Sequence, residues 1–324
     1  MDGPATASNY RHIAKYAPVM AGSLSGVRSK LERALKQRSE MQAYVQEFAE
    51  SDFYEIATER DYLGRMVGRA VNVKAPSAEL SLLIGEFVHS VRSGLDHLVH
   101  QLARSTTSNL PKTWAKSSAF PIFKSGPEFR GKKAGRRGAS PKMRGLSLPA
   151  QRTLERLQPY HRRTTPMLWA LWQLEELSNL DKHRDMPLTG AVPAQGSVSI
   201  KFLGPGVQVV GHAIFPGPIE ERRRMIGVMA ENVTKPSDLE LDLHIKPFVA
   251  FDRKADPPSV RGWPLSAVID GILFAIGAHV FPEFNPELRE RFDDTFALHI
   301  QEDPVETKSD PVHEATPQSV QSAP

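Results

Sequence analysis

Within the run Ala78 to Arg104, AELSLLIGEFVHSVRSGLDHLVHQLAR, the side chains of His89, Ser93, Asp96, His97, His100 and Arg104 recur at helical spacing, with Arg92 at the edge of the stripe. An imidazole titrates near neutrality and can move a proton. A guanidinium can hold a phosphate as charge develops on it. Metal binding is the other chemistry to weigh. His89, Asp96 and His100 fall within about 40° of one another on an ideal helix, and Asp96 and His100 have the i, i+4 spacing that can share a cation. Three ligands on one helix span too much axial length for one ion, so a site would need a further ligand such as Asp181 or His183. No HExxH element is present, and the chain is read with no metal and no cofactor. The same stripe also reads as a wet surface, or as a polar seam satisfied by a neighbouring element.

These side chains depend on two helices. Opposite the stripe, Ile84, Phe87, Val88, Val91, Leu95, Leu98, Val99 and Leu102 share one face, which predicts a core-packed helix with Ser77 as its cap. The second helix, MLWALWQLEELSNLDKHR, sets Leu168, Leu171, Trp172, Leu174, Glu175 and Leu177 on neighbouring ridges. Its last turn gathers Asn179, Asp181, Lys182, His183 and Arg184, where positive charge also suits the helix C-terminal dipole. The two helices are expected to pack with their polar ends converging, Asp96 toward Lys182 and Arg184.

Arg92-Ser93-Gly94-Leu95-Asp96-His97 resembles the R-x4-6-H motif of HEPN-domain proteins, many of which are metal-independent ribonucleases. The resemblance implies that His97 acts in proton transfer and Arg92 in stabilising phosphate charge. Asp96, His183 and Arg184 would assist them. The chain departs from that pattern at Ser93, where family members often carry Asn, Asp or His, and in its β-rich segments. On an unbroken helix Arg92 and His97 point about 140° apart. Joint action therefore needs an irregularity at Gly94 or a second subunit, which makes a homodimer one expected arrangement. The wider pattern of VRSGLDHL, FPIF and LWxLxxLxNxDKHR also resembles a group of uncharacterised bacterial and phage-associated proteins, implying a shared fold and no particular activity.

Charge points to the partner. The formal net charge of +4 is uneven, because the segment from Arg130 to Arg163 is densely basic and its one acid is Glu155. Lys132, Lys133, Arg136 and Arg137 are its candidate nucleic-acid contacts, since clustered cations gain from counterion release. RNA or another polyanion is the expected partner, and the plain alternative is a solvated basic loop. Two functional readings follow: a metal-independent endoribonuclease or RNA-processing protein, or a non-catalytic nucleic-acid-binding or interaction protein in which the Arg/Asp/His cluster is structural.

With no cysteine among 324 residues, disulfides, zinc-thiolate sites and a cysteine nucleophile are excluded. No GxSxG, Walker A or GxGxxG element stands between a strand and a helix. The N-terminus lacks a signal-peptide apolar core, and the apolar run Leu265 to Phe281 contains Asp270 and His279. A cytoplasmic protein without a membrane partner is expected, with that run a core helix.

The fold class read from the pattern is α+β: a long-helix core, a β-hairpin insertion and a C-terminal antiparallel β-rich region closed by a helix. Residues 1–21 read as a flexible lead-in. Residues 22–185 read as a mainly helical domain with a hairpin at 53–74 and a basic loop at 105–148. Residues 186–285 read as the β-rich region and 286–324 as a mostly disordered tail. Val198 to Phe202 and Val207 to Val209 are predicted to pair about Gly204-Pro205-Gly206. Asp238 to Asp252 is predicted as one long strand in which Pro247 implies an edge or a bulge.

Overall fold

The expected cap is in place. The Ser77 hydroxyl accepts from the Glu79 N–H at 3.2 Å and opens the helix α2, Ala78–Thr106. The predicted apolar face of α2 is fully buried, from Leu80 and Ile84 through Phe87, Val91, Leu95 and Leu98 to Leu102, each side chain worth roughly 1.5–3 kcal/mol. The computed structural model describes residues 24–61, 65–107, 110, 114–132, 138–161, 163, 169–182, 186–192, 197–235, 238–244, 247–254 and 257–284. The expected lead-in, the tail, His183, Arg184, Lys133, Arg136 and Arg137 lie outside these residues.

Helix α1, Ser25–Glu50, runs antiparallel to α2, with Gly26 against His97, Lys30 against Gly94, and Gln37 donating to Glu86 at 3.0 Å. Ser25 is the first residue of α1, and Leu24 takes the cap position without a side-chain bond. Helix α6, Trp169–Asp181, covers another flank of α2, also antiparallel: Asp181 meets Gly85 and Glu175 meets Arg92. The Asp181 carboxylate, at the end of an exposed side chain, lies in the space that a β-carbon on Gly85 would fill.

The loop expected at 105–148 holds short turns, and a helix follows it. These are the single turns α3, Trp114–Ser117, and α4, Gly126–Phe129, then α5, Leu148–Arg156, capped by Ser147. Apolar residues explain the order, because Trp114, Phe120, Ile122, Phe129, Met143 and Leu146 are all buried in the helical core.

The α+β class holds, with all sheets antiparallel. Strands β1, Glu55–Arg60, and β2, Met66–Val71, form the expected hairpin. After α6 come β3, Leu188–Val192; β4, Ser197–Leu203; β5, Gln208–Ile214; β6, Gly217–Pro218; β7, Arg224–Glu231; β8, Leu239–His244; and β9, Phe248–Phe251. The hairpin is the edge half of a four-stranded sheet ordered β1-β2-β7-β5, so strands from both sides of residue 185 share one sheet and one apolar cluster.

Two strand expectations are corrected. Strand β4 pairs with β8 and not with β5, while β5 pairs with β7. The turn at Gly204 forms, with Val207 N–H donating to Gly204 at 3.2 Å, but Gly204 itself donates to Asp238 at 2.8 Å and the two strands part into different sheets. The long strand expected over Asp238 to Asp252 is broken near Pro247 into β8 and β9, which pair with β4 and β3 respectively. A proline lacks the N–H that an uninterrupted ladder needs.

Helix α7, Leu265–Phe274, continues as a π-helical turn, Ala275–Val280, and a 3-10 turn, Phe281–Glu283. The span Leu265–Glu283 is long and apolar enough to cross a membrane, and in this fold more than half of it is buried in the core. The Arg38 guanidinium, almost wholly buried on α1, donates to Asp270 at 2.6 Å and ties α7 to the first helix.

Candidate functional site

Arg92 and Asp96 lie one turn apart on the flank of α2 that faces the Phe120-Pro121-Ile122-Phe123 segment. The Arg92 guanidinium donates through Nη2 to the Phe120 carbonyl at 2.7 Å, and the Asp96 carboxylate accepts from the Phe120 N–H at 2.8 Å. Both backbone groups of one buried residue are thus held by the polar stripe, and each bond to a charged group is worth about 1.5–3 kcal/mol. Arg92 stands 3.8 Å from Asp96 and 3.6 Å from Glu175 on α6, and its Nη1 is buried with no hydrogen bond among the described residues. The next residues are pinned as firmly. Buried Gln158 accepts from the Phe123 N–H at 3.0 Å and donates to the Pro121 and Leu154 carbonyls, both at 2.8 Å.

Two lysines complete this end. Lys142 lies over the Phe123 ring at 5.4 Å and Lys124 over the Trp172 ring at 5.4 Å, arrangements that attract a cation to an aromatic face. Burial, then the Arg92 guanidinium, holds the Lys142 ammonium below the ordinary lysine value, against the raising influence of Glu175 and Asp96 and with a smaller lowering from Lys182. The Trp172 indole N–H is buried without a partner among the described residues.

His97 is on another face. It is exposed and lies against Gly26 of α1. Helix α2 is unbroken at Gly94, which instead lets the Lys30 side chain approach to about the van der Waals limit. Within one chain, Arg92 therefore faces Phe120 and Glu175 while His97 faces α1. His100 is separate again, its ring 4.9 Å from that of Trp114. Partial burial, then Arg104 and His97, lowers its pKa from the usual histidine value.

The helix pairing is as expected; of the polar groups expected to converge, Arg184 lies outside the described residues and Asp181 lies well away from Asp96. Asp181 packs on Gly85, eleven residues before Asp96 on α2, or about 16 Å along an ideal helix. Just beyond, the Met186 N–H donates to the buried Ser81 hydroxyl at 2.7 Å. Glu175, two turns before the end of α6, is what meets Arg92.

Among the described basic residues, Arg130 pairs with Glu155 at 2.8 Å and Arg156 with Glu283. Lys132, Arg144, Arg152 and Arg163 are exposed with no ion pair among the described residues. Among the described residues no group of three His, Asp or Glu side chains is placed to hold a metal ion.

Spacing does not mark Lys142, Gln158 or the Phe120 backbone, and it sets Glu175 on the α6 ridge without giving it a role. The signal for Glu175 was present, as the charged residue on an otherwise apolar ridge. Gln158 and Lys142 sit in segments without periodicity. No protein-family model, curated protein or solved structure matches this chain.

Proposed function

We propose that the chain binds single-stranded RNA or a similar polyanion without cutting it, and that Arg92, Asp96 and Glu175 form a structural network inside the binding scaffold. The observation that carries this reading is the double grip on Phe120: the guanidinium that a phosphate would need is already engaged by a backbone carbonyl and faced by two carboxylates. Lys124 beside Trp172 and Lys142 beside Phe123 supply cations next to flat rings, the combination that holds single strands through backbone charge and base stacking. Lys132, Arg144, Arg152 and Arg163 add uncommitted positive charge.

The test is fluorescence anisotropy with labelled single-stranded and duplex RNA over a range of salt concentrations. Affinity should fall steeply with salt and favour the single strand. Reversing Lys132, Lys133, Arg136 and Arg137 together to Glu should weaken binding and flatten the salt slope. RNA incubated with the protein and a chelator should stay intact, with His97→Ala indistinguishable from the parent. Failure to bind at low salt rejects the proposal. Metal-independent cutting that disappears in His97→Ala would replace it with the HEPN-like ribonuclease reading, in which a homodimer brings His97 of one copy to an arginine of the other.

A further inference from the structure

Away from the polar stripe, the small sheet ordered β6-β3-β9 carries a cavity of about 340 Å³. Val192, Pro216, Pro218, Phe248 and Phe251 give it an apolar lining, and Arg253, from the turn after β9, lines it beside Gly262. A second arginine stands behind the wall. Arg223 donates to the Pro216 carbonyl at 2.7 Å and lays its guanidinium on Gly217 so closely that a β-carbon there would sit 2.6 Å from Nη2. Gly217 has φ +130°, so both its backbone and its missing side chain are required for this approach.

We infer that this cavity binds a small organic oxyanion, a carboxylate or phosphate ester carried on an apolar body. It is a concavity open on one side, with an apolar lining and one cationic side chain that could fix a ligand's orientation. The charge is complementary to an acid. Arg253 has no ion pair among the described residues, and a guanidinium fork matches the two oxygens of a carboxylate or phosphate. The arginines also act on each other: burial, then the Arg253 charge, lowers the Arg223 pKa, with Glu220 as the opposing carboxylate. A bound oxyanion would relieve that repulsion. The polar surface near Arg92 takes no part, so this inference stands or falls independently of RNA binding.

Isothermal titration of the full chain with 1-naphthoate, phenyl phosphate and uncharged 1-naphthamide tests it. At least one of the two acids should saturate at one per chain with Kd below about 1 mM, and the amide should bind at least about tenfold more weakly. Whichever acid binds more tightly identifies the oxyanion. Arg253→Gln alters an exposed side chain, so it should keep the parent's unfolding midpoint and RNA affinity while weakening the acid about tenfold. No saturable binding of either acid, equal binding of acid and amide, or unchanged binding in folded Arg253→Gln overturns the inference.

Discussion

Gly26 and His97 touch across the seam between the first two helices: a β-carbon on Gly26 would lie 2.9 Å from His97 Nδ1. The imidazole is at the end of an exposed side chain and can swing aside, while alanine is the better helix former by about 1 kcal/mol. Gly26→Ala should therefore leave stability unchanged or raise it by up to about 1 kcal/mol, and it should shift the His97 imidazole resonances. His97→Ala should change stability by no more than about 0.5 kcal/mol. A large loss in either variant would mean that His97 is a structural residue.

Gly85 presents a related case, because what occupies the space of its missing side chain is the Asp181 carboxylate, the end of an exposed side chain that can turn away. Gly85→Ala should therefore leave stability unchanged or raise it by up to about 1 kcal/mol, alanine being the better helix former. Adding Asp181→Ala should change this little. A loss of more than about 1 kcal/mol in Gly85→Ala that Asp181→Ala recovers would show instead that the carboxylate is held in place and sets the helix spacing.

The grip on Phe120 predicts a difference between two substitutions of one residue. Asp96→Ala strands the Phe120 N–H, at a cost of about 1–3 kcal/mol in urea unfolding. Asp96→Asn keeps an oxygen that can accept from it, and should cost clearly less. Equal effects would argue that the negative charge, and not the hydrogen bond, is what this position supplies.

Lys142 gives a pH dependence with a definite sign. Burial and Arg92 lower its pKa in the folded chain. In the window between that lowered value and the ordinary 10.5, the unfolded chain carries the proton that the folded one has lost, so stability rises with pH. Below the window both states are charged, and the folded state bears the full penalty. Lys142→Met should raise the thermal midpoint at neutral pH, with an advantage that shrinks as pH climbs toward 10.5. A constant difference across that range would remove Lys142 as the cause.

Sequence made the helices legible because their signals are local. Ser77, the apolar face of α2 and the charged residue on the α6 ridge can all be found by counting positions. Strand partners were not legible to the same degree. Gly204-Pro205-Gly206 correctly announces a turn, but nothing near it records that β4 will pair with β8 and β5 with β7. Pro247 shows where a strand is interrupted without showing that its halves enter different sheets. At the site, Arg92 and Asp96 stood out by type, whereas their shared partner is a peptide group, and peptide groups look alike at every residue. Lys142 and Gln158 reach the site only because buried aromatic residues fold the intervening segment back onto α2.

The sheet that joins β2 to β7 also imposes a timetable on synthesis. Met66–Val71 can form its hairpin with β1 as soon as both strands have left the ribosome, but its other edge finds no partner until Arg224–Glu231 is made. At about 5–20 residues per second, the roughly 150 intervening residues keep that edge bare for on the order of ten to thirty seconds. Met66, Val67 and Ala70, all buried in the finished sheet, are open to other nascent chains throughout that interval. That edge is thus still bare well after the central helix has been made, and a chain stopped at residue 186 would keep it bare for good.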